Sequence, residues 1–217
     1  MSAPVPSAEP KALRLIATLG IAGLLSGLAL VGIYELTLPT ITANRARALR
    51  EAVFQVVPGA SSMQKLTGDP LAVSEEGEGV FAAYDDAGDL LGYAIPSEGS
   101  GFQDKISILY GFDPGERVIV GMAVLESRET PGLGDKIYKD DAFQENFEAL
   151  AVEPQVVAVK KGEKSAANQV DCITGATISS KAVVAIINAG NERWLGALPA
   201  SGNEPPAPAP QGDDDVQ

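Results

Sequence analysis

The sequence predicts an α+β fold, an antiparallel sheet with packed helices behind one N-terminal transmembrane helix. Three observations predict it. One run near the N-terminus is apolar for twenty residues without a charge. Strand-like runs come in pairs joined by tight turns, and helical periodicity is confined to stretches between and after those pairs. That segregation argues for α+β rather than a doubly wound parallel sheet.

The apolar run is Leu15–Tyr34, LIATLGIAGLLSGLALVGIY. At about 1.5 Å per residue it spans the ~30 Å of a bilayer's hydrocarbon. A buried core helix is one alternative, but a helix apolar all round needs a larger domain to hide in. A cleaved signal peptide is the other, but the run is long for one and no A-x-A site follows in Glu35–Asn44. The expected division is 1–12 as a cytoplasmic N-terminus, 13–38 as the anchor, 39–198 as the folded domain and 199–217 as a tail. Lys11 and Arg14 before the span balance Arg45, Arg47 and Arg50 after it, so charge counting leaves the topology open.

After the span, Thr40–Val57 carries apolar residues at helical spacing and stops at Pro58-Gly59. Gly79–Asp85 and Asp89–Pro96 flank Asp86-Ala87-Gly88, a hairpin signal. Lys105–Asp113 and Arg117–Ser127 flank Pro114-Gly115-Glu116, a second one. Asp141–Leu150 reads as a short helix, Val156–Lys160 as a strand, and about Ile178 to Leu195 as the last helix. From Pro199 the chain is Pro-rich and then acidic, PASGNEPPAPAPQGDDDVQ. Such a tail is expected to be disordered and dispensable, since it has little apolar area to offset its ordering entropy.

Composition removes several classes of function. There is no histidine, which rules out Ser/His/Asp and Cys/His triads and most zinc and haem sites. One cysteine, Cys172, makes neither an internal disulfide nor a cluster ligand set, and reads as a packed small hydrophobe. With 16 basic residues against 29 acidic ones, net −13, the chain does not suit nucleic acid.

Two stretches carry chemistry. The first is Glu129-Thr130-Pro131-Gly132-Leu133-Gly134 at a strand exit. Gly132 and Gly134 let backbone approach a flat ligand and Leu133 offers an apolar face; an ordinary exit turn is the plainer reading. The second is Asp171-Cys172-Ile173-Thr174-Gly175-Ala176-Thr177 at the start of the last helix. Gly175 and Ala176 keep Thr174 and Thr177 accessible, and the helix start offers free N–H groups to a phosphate. Ordinary capping by Thr177 or a neighbouring serine is the alternative.

Together and in this order, the two stretches closely resemble the G subunit of Rnf-type electron-transport complexes, relatives of the C subunit of Na⁺-translocating NADH:quinone reductase. Asp-x-x-(Ser/Thr)-Gly-Ala-Thr is the family's attachment motif, matched by Asp171–Thr177, and its Glu-Thr-Pro-Gly-Leu-Gly loop is matched by Glu129–Gly134. The resemblance runs from the anchor to about Leu198. It implies an FMN-binding domain in which FMN is esterified through its phosphate to Thr177. Thr174, Gly175 and Ala176 would lie at the attachment turn, and Glu129, Thr130, Gly132 and Leu133 against the isoalloxazine ring. It further implies one-electron transfer within an ion-translocating membrane complex, the other subunits as partners, a flavin transferase for maturation, and a flavin domain on the periplasmic face of the inner membrane. Where the family often has Gly-Tyr-(Gly/Ser)-Gly, this chain has Gly99–Asp104 with Phe102 in the tyrosine's place, so no contact is carried over there. The rival readings are a stand-alone flavinylated redox protein and an anchored binding module without flavin.

Overall fold

Pro39 does not end the first helix. In the computed structural model, which describes residues 12–66, 79–199 and 203–208, α1 runs from Ala12 to Val56 with Pro39 inside it. The expected anchor and the expected Thr40–Val57 helix are therefore one element. Pro39 has no N–H to give the Glu35 carbonyl. On either side Thr37 donates to the Ile33 carbonyl (2.9 Å) and Thr42 to that of Leu38 (3.1 Å), so these two hydroxyls are satisfied within the helix.

The chain divides into two units that meet at Ala46 and Arg47. In the first, the side chains of the apolar stretch are exposed, with Leu19 at 73% and Leu36 at 80%. A helix long and apolar enough to cross a membrane, with none of that surface buried in the protein, is a membrane-span candidate.

The second unit is built on a six-stranded antiparallel meander. Its strands are β1 (Ser62–Lys65), β2 (Phe81–Tyr84), β3 (Leu90–Ser100), β4 (Lys105–Asp113), β5 (Val118–Ser127) and β6 (Leu150–Ala151). Both expected hairpins form, β2–β3 and β4–β5. Pro96 is tolerated inside β3 because β2 pairs only with Leu90–Ala94, leaving Pro96 beyond that edge. A separate parallel pair joins β7 (Val157–Val159) to β8 (Gln169–Asp171). The expected Asp141–Leu150 helix is shorter: α2 covers Asp141–Gln144, a 3₁₀ turn Glu145–Phe147 follows, and Leu150 enters β6. Asn146 explains the change, because its side-chain amide donates to the carbonyls of Ala142 and Phe143 while its oxygen accepts from the Asp171 N–H.

Each face of the sheet has its own cover. The 18-residue α3 (Thr177–Trp194) lies over one face, on a core that includes Tyr93, Ile95, Ile108, Tyr110, Val183 and Ile187. The last turns of α1 lie over the other, where Val53, Val56 and Val57 meet Phe81, Ala94 and Leu109. That seat depends on two glycines paired across β4 and β5, Gly111 and Gly121. A Cβ at Gly111 would fall on the Val56 carbonyl, and one at Gly121 would lie 2.8 Å from it.

The tail departs from expectation in part. Residues 203–208 pack on the domain: Tyr84 donates to the Pro205 carbonyl (2.5 Å), and Ala207 joins the core under α3. Proline loses little freedom on ordering, which lowers the entropic cost that argued for disorder. Residues 209–217 lie outside the described residues.

Candidate functional site

Glu129, where the chain leaves β5, is 6% exposed. Its Oε1 accepts the backbone N–H groups of Phe102 (2.8 Å) and Gln103 (2.9 Å), and its Oε2 accepts the Ser179 hydroxyl (2.5 Å). One carboxylate thus fastens together the β3–β4 turn, the Glu129–Gly134 loop and the first turn of α3. Burial by itself would push this carboxyl up. The Ser179 hydrogen bond and the N–H donors of Gln103, Phe102 and Asp104 outweigh it and hold the group below the usual glutamate range.

The loop itself is shaped by its own backbone. Leu133 and Asp135 donate their N–H groups to the Thr130 carbonyl, and the Thr130 hydroxyl donates to Gln103 Oε1 (2.7 Å). Gly134 packs so closely that a Cβ there would strike the Glu129 carboxylate and lie 2.8 Å from the Ser179 hydroxyl. Gly132 and Leu133 face outward, Leu133 at 51% exposure, so the loop presents an apolar surface whose position Glu129 fixes from below. The Glu129 carboxylate is engaged inside, by the Phe102 and Gln103 N–H groups and the Ser179 hydroxyl, so what it does for the loop is to position it.

The attachment-motif turn sits at the start of α3. Gly175 takes φ +85°, which a residue with a Cβ adopts at a cost, and the space beside it is open. Ala176 precedes the helix and is buried in the core, so its role is to be small. Among the described residues no side chain caps this helix. The first helical backbone bond runs from the Ser180 N–H to the Ala176 carbonyl, so the N–H groups of Thr177, Ile178 and Ser179 have no helical partner. The serines are engaged elsewhere, Ser180 between the Ile173 N–H and the Ala176 carbonyl and Ser179 on Glu129. Ordinary capping is therefore not what the hydroxyls of this turn do.

Thr174 and Thr177 are both exposed. Thr177 makes one long contact, 3.5 Å to the Ile173 carbonyl, and stands at the positive end of the α3 dipole. Cys172 is 3% exposed; burial pushes its thiol up, the Lys181 charge opposes that and the Asp171 charge adds to it, so the group is held as a buried thiol. The structure brings all eight sequence-derived site residues to segments that meet at Glu129. To these it joins Phe102 and Gln103, from the Gly99–Asp104 stretch to which the sequence reading assigned no contact, and Ser179, which that reading did not single out. Ile178 is 58% exposed and Phe102 62%. With Leu133 they give one exposed apolar side chain on each of the three segments tied by Glu129.

Comparison with known proteins places these features. The FMN-binding domain family matches residues 101–191. The chain is 31% identical over 174 residues to the G subunit of the ion-translocating oxidoreductase complex of Methanosarcina acetivorans, covering 79% of this chain and 88% of that one. It is 31% identical over 160 residues to the G subunit of the Na⁺-translocating ferredoxin:NAD⁺ oxidoreductase complex of Acetobacterium woodii, covering 72% and 74%. Its fold resembles the crystal structure of the C subunit of Na⁺-translocating NADH-quinone reductase from Parabacteroides distasonis, with a TM-score of 0.58 at 21% identity, covering 73% of this chain and 94% of that one.

Proposed function

The chain belongs to the G-subunit family of ion-translocating oxidoreductase complexes, electron-transfer proteins with an FMN-binding domain, and on that premise we propose that it carries FMN covalently, as a phosphoester on Thr177. The observation that carries this reading is the uncapped start of α3, where an exposed threonine hydroxyl stands among three N–H groups without helical partners. That is a phosphate's binding geometry with a nucleophile in it.

The residues present fit the group. Open space at Gly175 leaves room for a phosphate beside Thr177. The apolar side chains of Phe102, Leu133 and Ile178, exposed on segments held by one carboxylate, suit a flat aromatic ring. When bound, FMN supplies the one-electron redox chemistry. The chain's part is to hold and orient it: Thr177 the phosphate end, the 129–134 loop the ring end, and Glu129 the distance between them. No side chain of the site is needed to move a proton, consistent with a chain without histidine. The other proteins of the complex are its partners, a flavin transferase loads it, and the flavin domain lies on the periplasmic side of the inner membrane.

Thr177→Val tests the attachment. Valine keeps the shape and removes the hydroxyl, and because Thr177 caps nothing, little stability goes with it. Co-expressed with a flavin transferase, the wild type should show in-gel flavin fluorescence and the intact mass of the FMN adduct. Thr177→Val should show neither, and Thr174→Val should retain the label at a reduced level at most. A labelled Thr177→Val beside an unlabelled, folded Thr174→Val would move the site.

A further inference from the structure

The docked part of the tail lies away from the flavin site, at the turn between β2 and β3. Tyr84, the last residue of β2, donates its hydroxyl to the Pro205 carbonyl across 121 residues of sequence. Ala207 packs on the main core, 3.5 Å from where a Cβ at Gly88 would lie. Glu204, Pro205, Ala207 and Pro208 are half-buried. Beside Tyr84 on the same core, Tyr93 is fully buried and its hydroxyl has no hydrogen-bond partner among the described residues. Burial foremost, then the nearby Glu204 charge and Tyr84, pushes Tyr93 up to about 12, and burial and Glu204 raise Tyr84 in the same sense. Both phenols therefore stay protonated at neutral pH, and Tyr84 is the one that donates.

One phenol donor, Tyr84, beside the buried ring of Tyr93 matches a segment rich in carbonyls and poor in N–H groups, which is the chemistry of a proline-rich segment. Proline offers an acceptor with no donor to satisfy. Residues 204–208, Glu-Pro-Pro-Ala-Pro, have that composition. From this geometry we infer that Tyr84, Tyr93 and the 85–89 turn form a docking site for a proline-rich segment, occupied in cis by residues 204–208 as a displaceable strap.

Cysteine accessibility in the full-length protein in detergent tests this. The native Cys172 is buried and should label slowly. In the strap, Ala207→Cys should react with a maleimide roughly tenfold more slowly than Asn203→Cys at its exposed neighbour, as expected of a locally protected site. Adding Tyr84→Phe, which removes only the hydroxyl, should speed labelling at position 207, and so should an excess of a synthetic peptide of residues 203–210. Equal rates at the two positions would overturn the site. So would protection that neither Tyr84→Phe nor the peptide disturbs. Protection that falls on dilution would assign the groove to a second copy's tail and overturn docking in cis.

Discussion

At Glu129, burial and hydrogen bonding act on one carboxyl in opposite directions, and hydrogen bonding wins. The consequence for stability has a definite sign. The folded group titrates below its unfolded value of about 4.3, so its stabilisation is complete above the ordinary carboxylate range. It is lost as the pH falls through the folded pKa, where the unfolded chain binds the proton more readily. Glu129→Ala would strand two backbone N–H groups and the Ser179 hydroxyl. The expected cost is about 1–3 kcal/mol, read as a drop in Tm of about 2–4 °C per kcal/mol for a domain of this size. Thermal scans from pH 7 down through the carboxylate range should show the gap between the wild type and Glu129→Ala narrowing as the pH falls. A constant gap would mean that the carboxylate charge is not what ties the three segments. The type of residue at 129 was legible in the sequence but its direction was not. A Glu-Thr-Pro-Gly-Leu-Gly string reads as a ligand loop, and nothing in it reveals that the carboxylate turns inward to amides 26 and 27 residues upstream.

Among the elements, those with strong periodicity or turn punctuation were the ones the sequence disclosed. The 86–88 and 114–116 turns announced β2–β3 and β4–β5, and α3 lies within one residue of its expected bounds at each end. What escaped was set by pairing or by a single side chain. β1 has no alternating pattern and exists because β2 is beside it. β8 has three residues and is stabilised by pairing with β7, which lies inside the expected Val156–Lys160 strand. Asn146 cut the expected 141–150 helix short. The glycines at 111 and 121 were equally silent, since a glycine in a strand shows that something comes close without saying what. Their role predicts a ranked pair of mutants. Gly121→Ala should cost about 1–3 kcal/mol by overpacking, and Gly111→Ala more, because its Cβ would meet the Val56 carbonyl head-on. Urea denaturation of the flavin domain measures both; the reverse order would place the α1 seat elsewhere.

For the molecule as a whole, membrane orientation is the property least accessible to charge counting, because Arg45, Arg47 and Arg50 oppose the proposed topology. Alkaline phosphatase fused after Leu198 should be active in cells, and a cytoplasmic reporter at the same point silent; the opposite pair would reverse the proposed sidedness. The meander has a further consequence, in time rather than in space. Each strand from β1 to β5 lies beside the next one in sequence, so most of the sheet can zip up in chain order with short loop closures. The contact from Ser179 to Glu129 reaches back 50 residues, and the one from the tail to Tyr84 reaches 121. Such closures come late. The turn bearing Thr177 therefore takes its final shape only once the sheet behind it is complete, and an enzyme that recognises that shape would modify finished molecules and pass over nascent or misfolded ones.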